Sequence, residues 1–479
     1  MQLQHSYAAL PLTFWSAVEP TPVAAPRLLA WNAALAGALG LDPALEARAA
    51  AMFSGNAPPA QARPIAMAYA GHQFGHFVPQ LGDGRAILLG EVTDPQGRRF
   101  DVQLKGAGPT PYSRNGDGRA AIGPVLREFL VSEAMHALGV PTTRALAAVA
   151  TGEAVFRDGA LPGAVLTRIA ASHVRVGTFQ FFAAREDHAA VRALVGFVLA
   201  RHYPALADHD NPPLALLEAV AQAQARLVAA WMQVGFVHGV MNTDNMAVSG
   251  ETIDYGPCAF LDEYHPAKTF SSIDRRGRYA FGNQPGIAQW NLARLAECLL
   301  PLINADGEQA VAMARAGIEA FAPAYREHWL AGQRRKLGLS TEEDGDEALA
   351  QDFLEALQAV EADYTLAYRA LSGVARGEQA ALPKSPGMDA WLARWRERLG
   401  REPGDVAARV AVMDAANPAV IPRNHLVEAA LAAAAAGDLA PFEALLAAVR
   451  RPFDDGPAQA PFMAPPAPEQ RVTHTFCGT

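Results

Sequence analysis

Cysteine is nearly missing: Cys258, Cys298 and Cys477 are the three in 479 residues, at no spacing that would ligate a metal. That excludes a disulfide framework and a zinc ribbon, and a chain of this length can bury a large core without such staples. Blocks of like charge and aromatic-basic stripes are also lacking, and the net charge of −9 is spread along the chain, so nucleic acid is not an expected partner. The opening residues, Met1-Gln2-Leu3-Gln4-His5-Ser6, have neither the basic and apolar regions of a secretory signal nor the arginines of a transit peptide. No long apolar run is present. The most apolar stretch, residues 426–449, is broken by Glu428, Gly437, Asp438, Pro441 and Glu443, which excludes a bilayer span there. The expectation is a protein of the reducing cytoplasm with no membrane partner and, since no internal period recurs, no repeat array.

What is present divides along the chain. Residues 1–60 mix Pro-rich turns with a helix expected near residues 25–41, an N-terminal extension. Residues 61–180 run strand, turn, strand, helix. Residues 181–305 are mainly helical, with apolar residues at helical spacing over 189–203 and 213–234. Residues 306–479 continue as Ala-, Leu- and Glu-rich helices, then an irregular Pro-rich segment over 452–468 and a cysteine-bearing tail.

Within the second segment, Gln80-Leu81-Gly82-Asp83-Gly84-Arg85 leads into the apolar run from Ala86 to Val92. The turn Asp94-Pro95-Gln96-Gly97 precedes an alternating run, Phe100 to Lys105, so the pattern reads as a hairpin ending on a lysine. Gly82 and Gly84 alone make an ordinary turn. Beside Arg85 and Lys105 they make a phosphate cradle, because glycine lets backbone amides approach an anion closely. A helical period over 120–139 carries Glu128, the natural ion-pair partner for Lys105, with Glu133 as competitor.

The third segment holds His238-Gly239-Val240-Met241-Asn242-Thr243-Asp244-Asn245, followed nine residues later by Asp254-Tyr255-Gly256. Protein kinases use His-Arg-Asp, a short spacer, a metal-binding Asn and then Asp-Phe-Gly, the first Asp receiving the substrate proton. Aligned on Asn245, Val240 falls where that Asp belongs, and an aliphatic side chain accepts no proton. Asn245 and Asp254 still offer the hard oxygen ligands that Mg²⁺ or Mn²⁺ takes. Met246-Ala247-Val248 and Thr252-Ile253 around Ser249-Gly250 read as a short hairpin that would bring the two together.

Taken together, Ala68-Tyr69-Ala70-Gly71-His72-Gln73-Phe74-Gly75-His76-Phe77, residues 103–114, Gly116-Asp117-Gly118-Arg119-Ala120, the 241–246 and 253–257 segments and Asn283-Gln284-Pro285 resemble one family, with weaker echoes at Arg423-Asn424-His425 and the tail. It is the selenoprotein O family of protein adenylyltransferases with a pseudokinase fold. The resemblance implies an α+β, protein-kinase-like two-lobed fold with largely helical extensions at both ends. It implies transfer of AMP from ATP to Ser, Thr or Tyr hydroxyls of target proteins, with Mg²⁺ or Mn²⁺, the triphosphate lying end for end relative to a kinase. It implies Asp244 as general base, and Asp117, Gly118, Arg168 and Arg175 as nucleotide contacts beside Lys105 and Asp254. In the family the tail cysteine is linked to redox control through a second cysteine in the loop after the Asp-Tyr-Gly segment. Here that loop reads Lys268-Thr269-Phe270-Ser271-Ser272-Ile273-Asp274, with serine in its place.

From the residues alone, alternatives stay open. Asp244 also suits a turn or helix cap, and Arg168 and Arg175 suit interlobe salt bridges. His72 and His76, four apart, suit a shared helix face, but no third ligand accompanies them and packing is the reading taken. The competing activities are γ-phosphoryl transfer, uridylyl transfer from UTP, and non-catalytic nucleotide binding.

Overall fold

The strand that ends on Lys105 lies at the middle of a large antiparallel sheet. In this computed structural model the described residues are 1–157, 159–379 and 381–476. Strands β1 (Trp15–Ala17), β2 (Arg27–Trp31), β3 (Ile65–Met67), a separate hairpin of β4 (Gly71–Gln73) and β5 (His76–Val78), then β6 (Ala86–Thr93), β7 (Arg99–Lys105), β8 (Ala120–Ala121), β9 (Arg144–Phe156) and β10 (Ala160–Ala170) follow in order. The sheet runs β1-β3-β6-β7-β10-β9-β2, with β8 added against β10. Ala86 faces Lys105 across the β6–β7 pair, and Leu166 faces it on the other side.

Period-two alternation sorts the strands' side chains onto two faces. Ile87, Leu89, Val102, Leu104 and Val165 pack with Leu35, Met52 and Phe53 of the short helices α1 (Ala33–Ala38) and α2 (Ala49–Phe53). Leu88, Ala148 and Leu166 pack with Leu126, Phe129 and Leu130 of α3 (Ile122–Ala137). That helix is buried on almost every side.

Helices dominate beyond the sheet. They are α4 (Val176–Ala183), α5 (His188–His202), α6 (Pro212–Gln233), α7 (Gln284–Ile303), α8 (Gly307–Glu319) and α9 (Phe321–Leu337). Between α6 and α7 lie the two-residue strands β11 (Phe236–Val237) and β12 (Ala259–Phe260), paired antiparallel. Further on come α10 (Asp346–Ala359), α11 (Tyr364–Ala375), α12 (Pro386–Leu399), α13 (Val406–Ala416), α14 (Asn424–Ala435), α15 (Ala440–Val449) and α16 (Ala460–Met463). α10, α11 and α12 share an aromatic core in which Phe353 lies 4.3 Å from Trp391. No helix is long and apolar enough to cross a membrane among the described residues.

The C-terminal helices return to α3. Phe442 on α15 meets Phe129 edge to face at 6.2 Å, Glu428 on α14 pairs with Arg127, and Arg450 reaches Glu133 at 3.3 Å. Buried Arg423 joins Asp262 (2.8 Å) to Asp363 (2.6 Å), tying the region before α14 to the loop after β12.

Three local expectations are corrected. The helix expected over residues 25–41 is a strand followed by a short helix: Arg27–Trp31 pairs with Ala147 to Ala150 of β9, and the Asn32 side chain then caps α1 through the Leu35 amide. The segments flanking Ser249-Gly250 do not pair with each other. Ala247 bridges Arg175, and Thr252 bridges Thr142, because those neighbours offer edges that a two-residue turn would have to outcompete. His72 and His76 sit on a hairpin, not a helix, with His72 opposite Phe77 and Gln73 opposite His76. The Pro-rich 452–468 stretch contains only the one-turn α16. Cys477 lies outside the described residues, while Cys258 and Cys298 are buried thiols without a disulfide.

Candidate active site

Lys105 emerges from the end of β7 and donates to Glu128 Oε2 of α3 at 2.7 Å, as the spacing predicts. Its ammonium also pairs with Asp254 Oδ1. Arg168 on β10, two residues along from the strand position facing Lys105, reaches Glu128 Oε1 at 2.5 Å and Asp254 Oδ1 at 3.1 Å. Two cations and two carboxylates therefore form a closed square. Glu133, the competing partner, instead binds Arg144 at 2.6 Å on the other side of α3.

This square fixes the protonation states. Burial alone would raise Asp254, but Lys105 and Arg168 outweigh it and hold its carboxyl well below the usual range, with Arg85 adding to the effect. Burial opposes the ionised form of Glu128 too, and Arg168 with Lys105 reverses it. Asp254 is held at φ 69°, a left-handed backbone that non-glycine residues rarely adopt. Lys105 and Arg168 both engage Oδ1 of this carboxylate.

The glycine loop is packed rather than open. Gly82 has φ +75°, and a Cβ there would come within 2.3 Å of the Tyr112 ring. Gly84 O accepts from the Ser113 hydroxyl, and Asp83 O accepts from Thr110 at 2.6 Å, so residues 110–113 cover the loop. Asp117 caps the Arg119 amide at 2.9 Å and pairs with Arg157 at 2.9 Å, while Gly118 O accepts from Gly108 N at 3.1 Å.

Asp244 and Asn245 occupy a one-turn segment, Thr243–Asn245, held from several directions. Arg175 donates to the Asp244 carbonyl at 3.1 Å and stacks 4.4 Å over the Tyr69 ring. Asn245 donates to the Val240 carbonyl at 3.0 Å, which leaves its Oδ1 without a protein partner among the described residues. Val240, in place of a base, thus contributes only backbone. His238 Nε2 lies 3.0 Å from Ile253 O and joins this loop to the segment bearing Asp254.

Burial drives Asp244 up to about 6, and Arg175 only partly offsets it. Its Oδ1 is buried with no hydrogen-bond partner, and Asp254 lies near enough to raise it further. A Cβ on Gly71 would stand 2.6 Å from that oxygen, so the β4–β5 hairpin can approach only because position 71 has no side chain. Gln73 donates to Asp244 Oδ2 at 3.4 Å, and Thr243 Oγ1 accepts from His72 N at 2.7 Å while donating to Gln180 at 2.6 Å. Gln73, Thr243 and Gln180 were not singled out in the sequence. Gln73 and Thr243 lie within motif segments quoted above without a role of their own, Gln180 lies in none, and no periodicity reveals their long-range contacts.

Asp244 Oδ1 is buried and unpartnered, as a proton acceptor would be, while Asn245 keeps its Oδ1 free of protein donors among the described residues and Asp254 stays ionised. The Asn245 amide and the Asp254 carboxylate are hard oxygen donors of the kind Mg²⁺ and Mn²⁺ take, with substrate phosphates and water supplying the remainder. These residues fit such a cation.

The two glutamates of α3 separate by substitution. Glu128→Gln leaves Lys105 and Arg168 sharing Asp254 alone, and is expected to cost about 3 kcal/mol of stability and to weaken ATP binding as well. Glu133→Gln is expected to lower stability without changing ATP affinity. Thermal unfolding and ATP titration check this, and an equal affinity loss in both variants would undo the pairing of Lys105 with Glu128.

Comparison with known proteins assigns the class. A family model described as protein adenylyltransferase SelO matches residues 1–450, and the chain belongs to that family. Its relatives include the protein nucleotidyltransferase YdiU of Rhizobium etli, 61% identical and covering 99% of this chain and 97% of the relative. The protein of the same name from Agrobacterium fabrum is 60% identical over 100% of both chains, and that of Rhizobium meliloti is 58% identical over 100% of this chain and 99% of the relative.

Proposed function

We propose that this chain transfers AMP from ATP to Ser, Thr or Tyr hydroxyls of target proteins, within a protein-kinase-like two-lobed fold. The observation that carries it is a buried, unpartnered Asp244 oxygen beside a carboxylate already gripped by Lys105 and Arg168. Family membership supports the same reading, as do relatives whose names specify nucleotidyl transfer to protein.

In this mechanism Asp244 accepts the proton of the acceptor hydroxyl. The hydroxyl oxygen forms a bond to the α-phosphorus as the bond to the β-phosphate bridging oxygen breaks, releasing pyrophosphate. Asn245 and Asp254 would hold Mg²⁺ or Mn²⁺, which supplies charge neutralisation and phosphate orientation. Lys105, Arg168 and Arg175 balance charge developing on the phosphates, the electrostatic work that dominates such transfers. Arg85, Gly82 and Gly84 lie at the phosphate end of the β6–β7 hairpin, and Asp117 and Gly118 are nucleotide contacts on the family pattern.

Labelled ATP tests it. Label at the α-phosphate is expected to stay on protein and label at the γ-phosphate to leave as pyrophosphate. Retained γ-label would establish phosphoryl transfer instead, and parallel incubation with α-labelled UTP fixes the base.

A further inference from the structure

Between β12 and α7 the chain makes a cationic ledge that the proposed chemistry does not use. The Asp274 carboxylate accepts from the backbone amides of Arg278 (2.9 Å) and Tyr279 (2.8 Å), so it is spent on turning the chain. Arg275 and Arg276 are exposed on that turn. The Arg278 guanidinium stands 4.7 Å over the Trp290 ring, and Arg294 stands 4.9 Å over the same ring. Arg294 has Glu297 at 2.6 Å, but no carboxylate pairs with Arg275, Arg276 or Arg278 among the described residues. On a chain of net charge −9 this is a local inversion of sign.

The ledge adjoins Asp244. Trp290 meets the His72 ring at 5.3 Å, and His72 belongs to the hairpin that holds Asp244 through Gly71 and Gln73. Tyr279 donates to Asn242 Oδ1 at 2.7 Å, on the loop that carries Asp244. Phe77, 40% exposed, lies 5.0 Å from His72 and extends the apolar floor toward solvent. An acceptor hydroxyl placed at Asp244 therefore brings its neighbouring residues across aromatic rings rimmed by arginines.

We propose that this ledge receives the acceptor polypeptide, recognising acidic side chains that flank the modified hydroxyl. The inference rests on the AMP-transfer reading for the hydroxyl, but the recognition itself needs only the surface. Unpaired arginines at a rim act mainly on encounter and partner choice, and planar guanidinium groups engage carboxylates in pairs. The rings accept whatever apolar residues lie between.

The test uses the full chain and fluorescent decapeptides carrying one Thr flanked by Asp and Glu, by Lys and Arg, or by Gly and Ala. Anisotropy is expected to show the acidic peptide bound about tenfold more tightly than the neutral one, with the same order in AMP labelling. The double variant R275E/R276E, both positions exposed, is expected to keep the wild-type melting temperature and to reverse the preference toward the basic peptide. Preferential binding of the acidic peptide without any AMP transfer would support the ledge and defeat the transfer reading. AMP transfer indifferent to flanking charge, or a preference unmoved by R275E/R276E, would defeat the ledge and spare the transfer reading. A single-stranded oligonucleotide that displaces the acidic peptide at equal concentration would overturn the assignment to a polypeptide.

Discussion

Asp254→Asn is expected to lower AMP transfer about 10³-fold, the scale of a single preorganised electrostatic contact in a transition state, and to abolish stimulation by Mn²⁺. The substitution keeps the shape and an oxygen facing Lys105 and Arg168, but removes the charge that both cations and a divalent ion would share. Strain at φ 69° remains in either residue, so the loss reports charge rather than backbone. Rates measured across a Mn²⁺ titration decide the matter. A variant within tenfold of the parent, with metal dependence intact, would remove Asp254 from the metal site.

Asp244→Asn is expected to cost 10² to 10⁴ in rate, roughly what a positioned general base contributes, and at the same time to stabilise the protein at high pH. Burial raises the folded-state value to about 6, above the 3.8 of an ordinary aspartate. Stability from the protonated form is thus full below pH 3.8 and lost as pH rises through 6. Above that, keeping the buried carboxylate ionised costs about 3 kcal/mol. Melting temperatures in the presence of a chelator should therefore rise for the variant at pH 8 and stay near the parent at pH 4. A variant less stable than the parent at pH 8 would show that the charge is compensated, and with it that Asp244 is a structural ion rather than a poised base.

Such pairing of lost rate with gained stability is the mark of a group held for chemistry at the expense of folding. That pairing is expected of Asp244 and not of Asp101, an equally buried carboxylate bound by Arg201 at 2.9 Å and His173 at 3.0 Å and kept low by them despite its burial. One carboxylate is satisfied, the other left with an unused oxygen.

Where local sequence dominates the energy, the chain is readable. The β6–β7 hairpin follows from alternation around a Pro-Gln-Gly turn, and α3, α5 and α6 from apolar residues at helical spacing, each within a residue or two of the observed ends. The Lys105–Glu128 pair is expected from the kinase-like order of hairpin and helix, and the fold decides it against Glu133, which takes Arg144 instead. Arg27–Trp31 misleads because Leu-Leu-Ala-Trp satisfies both periods over so few residues, and pairing with β9, more than a hundred residues later, decides for strand. Ala247 and Thr252 mislead for the same reason, each taking a distant partner.

The site divides in the same way. Asn245 and Asp254 stand out in the sequence by their kinase-like spacing, though the hairpin expected to join them does not form. The surroundings of Asp244 do not stand out, since Gln73, which holds its carboxylate, lies 171 residues earlier. The burial that sets its acidity is a tertiary property, and so is the role of Arg168, whose two carboxylates come from α3 and from the loop after Asn245.

The seat of α3 carries a consequence for control. A helix whose glutamate positions a strand-end lysine could act as a lever by pivoting outward. Here the lever is bolted down: swinging Glu128 away would break Arg127 from Glu428, Arg450 from Glu133 and the Phe129–Phe442 edge in one motion. Residues from the far end of the chain thus buttress the helix that carries Glu128 and, with it, the glutamate's grip on Lys105.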